Sequence, residues 1–388
     1  MPSNFRVGGV DTDDIFIRRE LFQEGGLWLW GINGSGVLGT NDATTLSRSS
    51  PVQTVSRGSN WDKISIGARE RYAAGIKTDG TLWIWGNNQY GQLGDNTRIG
   101  KSSPVQIAGT NWRQVSCGAR ETFAIKTDGT LWAWGLNNYG SLGTNNTGIG
   151  RSSPVQIAGT NWRQASSGGY FPFSAAIKTD NTLWTWGNNF YGSLGDSGSP
   201  SNRSSPVQIA GTNWKTVSCT RSTGTNMGAI KTDGTLWMWG GNQNGQLGDN
   251  TTIGRSSPVQ IFGGGTNWKQ LSIGGTRATA IKNDGTLWLW GSGSLGILGD
   301  NNTIHRSSPV QIFGGGTNWK KVEAGSNHFT AIKTDGTLWV WGFNSDGQLG
   351  TGDSVSRSSP VQTVAGSTNW REISNGTEVA AGIREDFY

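Results

Sequence analysis

The run Leu82-Trp83-Ile84-Trp85-Gly86, LWIWG in one-letter code, is one of seven copies of the motif LWxWG in a chain of 388 residues. The second tryptophan of the motif recurs every 49 to 55 residues, at Trp30, Trp85, Trp134, Trp186, Trp239, Trp290 and Trp341. An Asn-Trp pair also recurs seven times, at Trp61, Trp112, Trp162, Trp214, Trp268, Trp319 and Trp370. These positions account for all 21 tryptophans, so the sequence consists of seven copies of one unit.

Each unit contains four short runs with the pattern of β-strands. The tryptophans of LWxWG are two residues apart and share one face of a strand, while a mostly apolar residue occupies the other face. Such a strand is expected to be buried on both faces. The other runs are Pro-Val-Gln, the stretch after Asn-Trp, and Ala-Ile-Lys. This last run meets the next LWxWG through Asp-Gly in five repeats and Asp180-Asn181 in a sixth, which predicts a hairpin with a structural role for the aspartate.

Sheets that are apolar on both faces can bury them by stacking radially around an axis. The chain enters the pattern at residues 27–31 without a preceding Ile-Lys strand. It leaves the pattern at residues 381–386, with a strand that no LWxWG follows. We therefore predict an all-β, seven-bladed β-propeller of four-stranded antiparallel blades over residues 25–388, its ring closed by strands from both termini. A leader over residues 1–24 precedes it.

Composition narrows the possible classes of function. The net charge is +6, but 20 of the 32 lysines and arginines occupy repeat positions. This distribution predicts a solvated ring of charge and not a continuous basic stripe that would bind nucleic acid. No apolar run is long enough for a membrane span, and the N-terminus lacks the pattern of a secretory signal. Cys117 and Cys219 occupy equivalent positions in non-adjacent repeats, so we expect small buried residues rather than a disulfide.

Residues 85–87 with 91–94 (WGN and GQLG) and residues 341–344 with 347–350 (WGFN and GQLG) resemble the repeat of the regulator of chromosome condensation family. The resemblance covers residues 27–386 and implies that family's seven-bladed propeller. Similar members include nuclear exchange factors for a small GTPase and bacterial proteins that bind other proteins, among them an inhibitor of β-lactamases. The form with LWxWG and Asn-Trp resembles the bacterial and phage branch. Exchange factors act through inserted loops, which these repeats almost lack, so exchange activity is the least favoured function.

Residue types that carry catalysis are scarce. His305 and His328 lie in different repeats, and a surface or packing role is the favoured interpretation of each. No zinc-type cluster or phosphate-binding glycine motif is found. Asp95, Asp249 and Asp300 follow Gly-x-Leu-Gly but lack the alternating acids of a calcium loop, so we expect them to cap turns. The sequence predicts no enzyme, no cofactor and no metal.

The most variable part of the repeat lies between the strand after Asn-Trp and Ala-Ile-Lys. We expect these loops to cluster on one face of the ring near its axis, and arginine and aromatic side chains are typical interface anchors. The alternative interpretation is that these loops simply vary in sequence and have no binding role. The candidate partner-binding residues are Arg69, Arg71, Tyr72, Arg120, Tyr170, Phe171, Phe173, Arg221, Arg277 and His328.

The leader carries much apolar surface for a segment outside the ring. Its candidate anchor residues are Phe5, Val7, Ile15, Phe16, Ile17, Leu21 and Phe22. We expect it to dock on a neighbouring protein of an assembly, and packing against its own propeller is the alternative. Residues 4–16 also resemble the leaders of marine phage structural proteins.

Together these features predict a non-enzymatic protein-binding propeller in a bacteriophage virion, as a tail or capsid decoration or host-adhesion protein. Its partners would be neighbouring virion proteins through the leader and a host surface molecule, with no nucleic acid and no membrane span. The alternative is a bacterial protein-binding or inhibitor propeller in the cytoplasm or at the cell surface.

Overall fold

The computed structural model describes residues 25–42, 46–55, 60–69, 71–198 and 201–385, and these form seven four-stranded antiparallel sheets. The prediction of a seven-bladed propeller is confirmed. Within each sheet the strand after Asn-Trp is innermost, because each of these strands contacts its counterpart in the next blade around the axis. Ala-Ile-Lys, LWxWG and Pro-Val-Gln strands follow in that order toward the rim.

The strands have the following bounds. The innermost strands are β3 (Trp61–Ile66), β7 (Trp112–Cys117), β11 (Trp162–Ser167), β15 (Trp214–Cys219), β19 (Trp268–Gly274), β23 (Trp319–Ala324) and β27 (Trp370–Asn375). The second strands are β4 (Tyr72–Lys77), β8 (Glu121–Lys126), β12 (Phe173–Lys178), β16 (Asn226–Lys231), β20 (Arg277–Lys282), β24 (His328–Lys333) and β28 (Val379–Glu385). The third strands are β1 (Gly25–Gly31), β5 (Leu82–Gly86), β9 (Leu131–Gly135), β13 (Leu183–Gly187), β17 (Leu236–Gly240), β21 (Leu287–Gly291) and β25 (Leu338–Gly342). The outer strands are β2 (Arg48–Gln53), β6 (Lys101–Ile107), β10 (Arg151–Gln156), β14 (Arg203–Ile209), β18 (Arg255–Gln260), β22 (Arg306–Gln311) and β26 (Arg357–Gln362).

We number the blades from the first complete sheet, so that blade 1 contains β3 to β6 and blade 6 contains β23 to β26. Blade 7 combines β27 and β28 with β1 and β2. Strand β1 pairs with β28 in continuous register from Gly25 opposite Glu385 to Gly31 opposite Val379. This pairing confirms that strands from the two ends of the chain close the ring within one sheet.

Three short 3-10 turns, Gly34–Gly36, Asn138–Gly140 and Ser294–Gly296, follow LWxWG strands. No helix in the described part of the chain is long and apolar enough to cross a membrane.

Cys117 and Cys219 are buried without a disulfide, as expected, and burial raises the pKa of each thiol to about 12.

The second tryptophan of each LWxWG strand packs between blades. All seven are fully buried, and each packs beside apolar side chains of a neighbouring sheet. The indole of Trp134, for example, donates a hydrogen bond of 2.8 Å to the carbonyl of Gln92 in the preceding blade. Five further tryptophans of this set make the same kind of bond. The ring is therefore held by buried indoles, six of which also donate a hydrogen bond to a carbonyl across a blade boundary.

The first tryptophan of each LWxWG strand is half-buried and stacks on a cation. In blade 5, Lys282 Nζ lies 4.8 Å from the ring centroid of Trp268 and 4.1 Å from that of Trp288. Every blade repeats the arrangement, with an arginine replacing the lysine in blade 7. These seven half-buried cations thus have a contact that the predicted solvated ring of charge did not include, because each lies between two indole rings.

The aspartates of the hairpins have the predicted structural role. Asp79 Oδ1 accepts hydrogen bonds from the backbone N–H and the hydroxyl of Thr81, and that hydroxyl accepts one from the Trp83 indole. These bonds lower the pKa of Asp79. The five equivalent aspartates in blades 2 to 6 repeat the pattern. Asp95 and Asp249 likewise accept bonds from Thr97 and Thr251 within their turns, as predicted.

Candidate functional site

Two kinds of loop share one face of the ring. Because the strands are antiparallel, the loop from the innermost to the second strand and the loop from the third to the outer strand leave the blade at the same end. We call this the loop face. It carries the variable stretches that the sequence singled out, whereas the Asp-Gly turns lie on the opposite face.

Blades 1 to 3 place eight large side chains together on the loop face. We call them the aromatic–arginine surface: Arg69, Tyr90, Arg120, Tyr139, Tyr170, Phe171, Phe190 and Tyr191. Four of the rings are 40% to 55% exposed although they contact other aromatic side chains: Tyr139, Tyr170, Phe190 and Tyr191. Aromatic side chains so exposed and so close together are typical of a contact surface.

The rings of this surface pack edge to face. Phe171 lies 5.2 Å from Tyr170 and 5.9 Å from Tyr191, with interplanar angles of 82° and 72°. Tyr139 and Phe190 form a third such pair at 5.9 Å. Pairs of this geometry stabilise one another by about 0.5–1.5 kcal/mol, so the loops hold their side chains in place before any partner binds.

Two arginines stack on the same tyrosine. The guanidinium carbon of Arg69 lies 4.4 Å from the Tyr170 ring centroid, and that of Arg120 lies 5.8 Å from it. Arg120 also lies 4.8 Å from the ring centroid of Tyr90. Because Arg69, Arg120 and Tyr170 belong to blades 1, 2 and 3, these contacts join three blades across the loop face.

Two clefts flank Phe171. The larger, of about 270 Å³, is lined by Tyr139, Tyr170 and Phe171, together with Arg120 and Glu121. The smaller, of about 130 Å³, is bounded by Phe171, Tyr191 and small or polar residues of blades 4 and 5. Each cleft can hold one or a few side chains of a partner.

Glu121 lies beneath this surface and is fully buried. Its carboxylate accepts hydrogen bonds from the Ser167 hydroxyl at 3.0 Å and from the Arg120 backbone N–H at 3.2 Å. Burial outweighs these bonds and raises the pKa of Glu121 to about 7. The acid therefore titrates near neutral pH within the wall of the larger cleft.

Four of the predicted contact residues are buried instead of exposed, which corrects the prediction: Tyr72, Phe173, Arg277 and His328. Each is the first residue of a second strand and pairs with the glycine of LWxWG, so its side chain is enclosed at the blade boundary. Tyr72 donates a hydrogen bond of 2.7 Å to the Glu121 carbonyl of the next blade, and Arg277 donates one of 3.0 Å to the Ser326 carbonyl. These side chains join adjacent blades.

Two further predicted residues lie away from the aromatic–arginine surface. Arg71 forms an ion pair of 2.8 Å with Glu378 of blade 7. Arg221 extends into the central channel, where its Nη1 donates hydrogen bonds to the Asn375 carbonyl at 2.9 Å and to Ser374 Oγ at 3.2 Å. The leader residues proposed as an anchor lie outside the described residues.

The central channel is another concave feature of the ring. It has a volume of about 260 Å³ and is lined mainly by glutamine, serine and threonine side chains of the innermost strands. Lys321 pairs with Glu372 inside it, and burial lowers the pKa of Lys321 to about 8. Several lining side chains bond across blades, as Gln114 does to the backbone N–H and carbonyl of Ala165. The described lining residues thus join the blades to one another.

Sequence reasoning missed half of the aromatic–arginine surface: Tyr90, Tyr139, Phe190 and Tyr191. These residues lie between the third and outer strands, in loops that were interpreted only as repeated turns. Aligned repeats do contain the signal. Three consecutive units place tyrosine directly before the glycine of Gly-x-Leu-Gly, where the other four have serine, asparagine, leucine or aspartate.

The family model for the regulator of chromosome condensation (RCC1) repeat matches six stretches: residues 79–125, 128–174, 180–223, 233–281, 284–332 and 335–383. The chain belongs to this family. A second model of the same repeat matches residues 62–92, 112–141 and 319–348. The predicted resemblance is thereby confirmed at the level of the family, whose propeller is a fold that binds proteins.

Three known proteins illustrate the similarity. The chain is 27% identical over 337 residues to the ultraviolet-B receptor UVR8 of Arabidopsis thaliana, covering 85% of this chain and 76% of UVR8. It is 26% identical over 338 residues to the human E3 ubiquitin-protein ligase HERC2, covering 84% of this chain and 7% of HERC2. The solved structure of Prp20p from Saccharomyces cerevisiae matches with a TM-score of 0.81 and 17% identity, over 96% of this chain and 95% of Prp20p.

These relatives also bear on the predictions of a bacterial or phage branch and of a virion role. The Prp20p structure was reported with its binding to Gsp1p and histones, which are partners of that protein. All three relatives are eukaryotic, so they give no support to the bacterial and phage branch or to a virion role.

Proposed function

We propose that this chain is a non-enzymatic protein-binding propeller and that its contact site is the aromatic–arginine surface. One observation carries the proposal: six aromatic rings, four of them exposed, and two arginines from blades 1 to 3 form one contiguous surface around two clefts. Aromatic and arginine side chains dominate the binding energy of protein interfaces. Family membership supports the proposal because the fold is a protein-binding one.

The test uses a random-peptide library displayed on filamentous phage and selected against the immobilised propeller. Recovered peptides are then measured against the wild type and the variant Tyr170→Ala/Phe171→Ala. Phe173, which was included in the predicted set, is left unchanged because it is buried and its loss would disturb the fold.

A matched control removes two exposed rings elsewhere on the ring. Phe262 and Phe313 are 57% and 56% exposed and follow outer strands, on the face opposite the loop face. We expect Tyr170→Ala/Phe171→Ala to weaken binding at least about tenfold, whereas Phe262→Ala/Phe313→Ala leaves it unchanged. Equal affinity of all three proteins for the selected peptides would refute the proposal.

Anchoring and location rest on the sequence alone. We propose that the leader, residues 1–24, attaches the propeller to a neighbouring protein of a larger assembly, as in a virion component. Deleting residues 1–22 should abolish incorporation into that assembly and leave a ring with unchanged tryptophan fluorescence. Retained incorporation of the truncated chain would argue against this anchor.

A further inference from the structure

We propose that the face opposite the loop face docks, through blades 4 to 6, on a bilayer that contains anionic lipids. We call it the turn face, because it carries the Asp-Gly turns and the loops that lead from each outer strand into the next blade. Phe262 and Phe313 insert between the lipid headgroups, and exposed lysines of the same blades contact the anionic headgroups. This inference concerns the other side of the ring from the aromatic–arginine surface and does not depend on the proposed function.

Two neighbouring loops of the turn face have the same sequence. Residues 261–269 and 312–320 both read IFGGGTNWK. The isoleucine that starts each loop is buried, whereas the next residue, Phe262 or Phe313, is 57% or 56% exposed. Each loop therefore begins with an apolar side chain fixed in the core and places a second one in solvent.

The backbone holds the exposed ring in place. In the first loop, the N–H of Gly264 donates a hydrogen bond of 3.2 Å to the carbonyl of Ile261, which closes a turn with Phe262 at its corner. The buried indole of Trp268 donates one of 3.3 Å to the carbonyl of Gly264. The second loop repeats both bonds. A Cβ placed on the glycine after either phenylalanine would meet no atom within 4 Å, so both turns project clear of the blades.

The exposed apolar side chains lie in one plane. Blades of a propeller are repeated around an axis, so equivalent residues lie at the same height along that axis. Val364 and Val55 occupy the equivalent position after the outer strands of blades 6 and 7 and are 56% and 44% exposed. In blades 1 to 3 the equivalent residue is alanine. Four consecutive blades thus present separate apolar side chains at one level, which fits the flat surface of a bilayer.

Exposed lysines occur in the same part of the turn face. The residue after Asn-Trp is a lysine in blades 4, 5 and 6, and all three lysines are exposed: Lys215, Lys269 and Lys320. No acid of the described residues pairs with their ammonium groups. In blade 2 the same position is Arg113, whose guanidinium instead donates a hydrogen bond of 3.0 Å to the carbonyl of Arg163. Exposed phenylalanines and unpaired lysines therefore coincide in blades 4 to 6.

The charge of this region is complementary to an anionic bilayer. In blades 4 to 6, the hairpins and the starts of the innermost strands contribute six lysines and three aspartates, a net charge of +3. Three further aspartates of these blades, Asp249, Asp300 and Asp353, are each paired with an arginine of their own blade. Interfacial binding strengthens with the apolar area inserted and with attraction between basic residues and anionic lipids. Both contributions are present on this face.

Co-flotation of the full chain with lipid vesicles tests the inference. The vesicles contain either phosphatidylcholine alone or equal parts of phosphatidylcholine and phosphatidylserine, and soluble polyglutamate is a third probe. The test variants are Phe262→Ala/Phe313→Ala and Lys269→Gln/Lys320→Gln. Matched controls remove two exposed rings or two exposed cations from the loop face, as Tyr139→Ala/Phe190→Ala and Arg69→Gln/Arg98→Gln.

We expect the wild type to float with the mixed vesicles and not with phosphatidylcholine alone. Each test variant should lower the apparent affinity for the mixed vesicles at least about tenfold, and neither control should change it. Absence of flotation, equal flotation with both kinds of vesicle, or unchanged affinity in either test variant would overturn the inference. Binding of polyglutamate with the same dependence on the lysines, without flotation, would overturn it in favour of an acidic protein.

A fluorophore that responds to polarity tests insertion directly. It is attached through Thr317→Cys, in the second loop, or through Tyr139→Cys on the loop face. The native thiols do not compete for the label, because both are buried and burial raises the pKa of each to about 12. We expect mixed vesicles to shift the emission of the label at position 317 to shorter wavelengths and to leave that at position 139 unchanged. An unchanged emission at position 317 in floated protein would show that the loop does not enter the bilayer and would overturn the inference.

Discussion

Replacing Glu121 by glutamine should make the stability of the propeller strongly dependent on pH. Two fully buried groups titrate in opposite senses in the native ring. Burial raises the pKa of Glu121 from 4.5 to about 7, and burial lowers the pKa of His328 from 6.5 to about 4. In the wild type, the contributions of Glu121 and His328 to the free energy of unfolding therefore change in opposite directions over the same pH range.

The sign of each effect follows from which state binds the proton more tightly. Folding favours the protonated form of Glu121, so its contribution to stability is complete below pH 4.5 and is lost as the pH rises through about 7. Folding favours neutral His328, so its contribution is complete above pH 6.5 and is lost as the pH falls through about 4. Each pKa shift corresponds to about 3 kcal/mol in the free energy of unfolding. The changes from Glu121 and His328 therefore nearly cancel in the wild type between about pH 7.5 and 4.5.

Urea unfolding followed by tryptophan fluorescence at several pH values provides the assay. The free energy of unfolding of Glu121→Gln should fall by about 2–3 kcal/mol between about pH 7.5 and 4.5, relative to the change in the wild type. His328→Gln should show a gain of similar size, and the double variant should again match the wild type. The reasoning is refuted if Glu121→Gln gives a profile parallel to that of the wild type.

Three further predictions concern the parts that hold the ring together. Replacing Lys282 by methionine removes the cation that stacks on Trp268 and Trp288. The free energy of unfolding, measured in urea, should therefore fall by about 1 kcal/mol. Arginine at position 282 should restore most of that loss. Asp79→Ala removes the two hydrogen bonds that Asp79 accepts from Thr81 and should lower the free energy of unfolding by about 1 kcal/mol. Asp79→Asn should lose less. Calorimetry that shows no difference between Asp79→Ala and the wild type would contradict this prediction. Proline at Ala381 should disrupt the pairing of β28 with β1 and expose blade 7 to limited proteolysis, and an unchanged rate of cleavage would contradict its role in closure.

Fold and closure were predictable because their signals are local and repeated. Seven LWxWG motifs fix the number of sheets, and Asp-Gly turns such as Asp79-Gly80 fix the hairpin between the second and third strands. The complementary ends of the pattern predicted that β1 and β28 share a sheet. The cation between two indoles was not predictable in this way, because its tryptophans lie on different strands of one blade.

The site was predicted in part. Arg69, Arg120, Tyr170 and Phe171 were identified because they depart from the repeat in a loop next to the axis. His328 departs from the repeat in the same stretch, but it begins a strand and is buried. A variable segment does not reveal where a loop ends and a strand starts, and that boundary determines whether a side chain meets solvent or the next blade.

Hydrogen–deuterium exchange of the propeller bound to a peptide from the library tests the central claim most directly. If the aromatic–arginine surface is the contact site, amide exchange should slow in the loops around residues 118–121, 169–172 and 188–192. The segment 260–265, which carries the equally exposed Phe262, should exchange as in the free protein. Protection confined to that segment or to any other part of the ring, with exchange at residues 169–172 unchanged, would contradict the account.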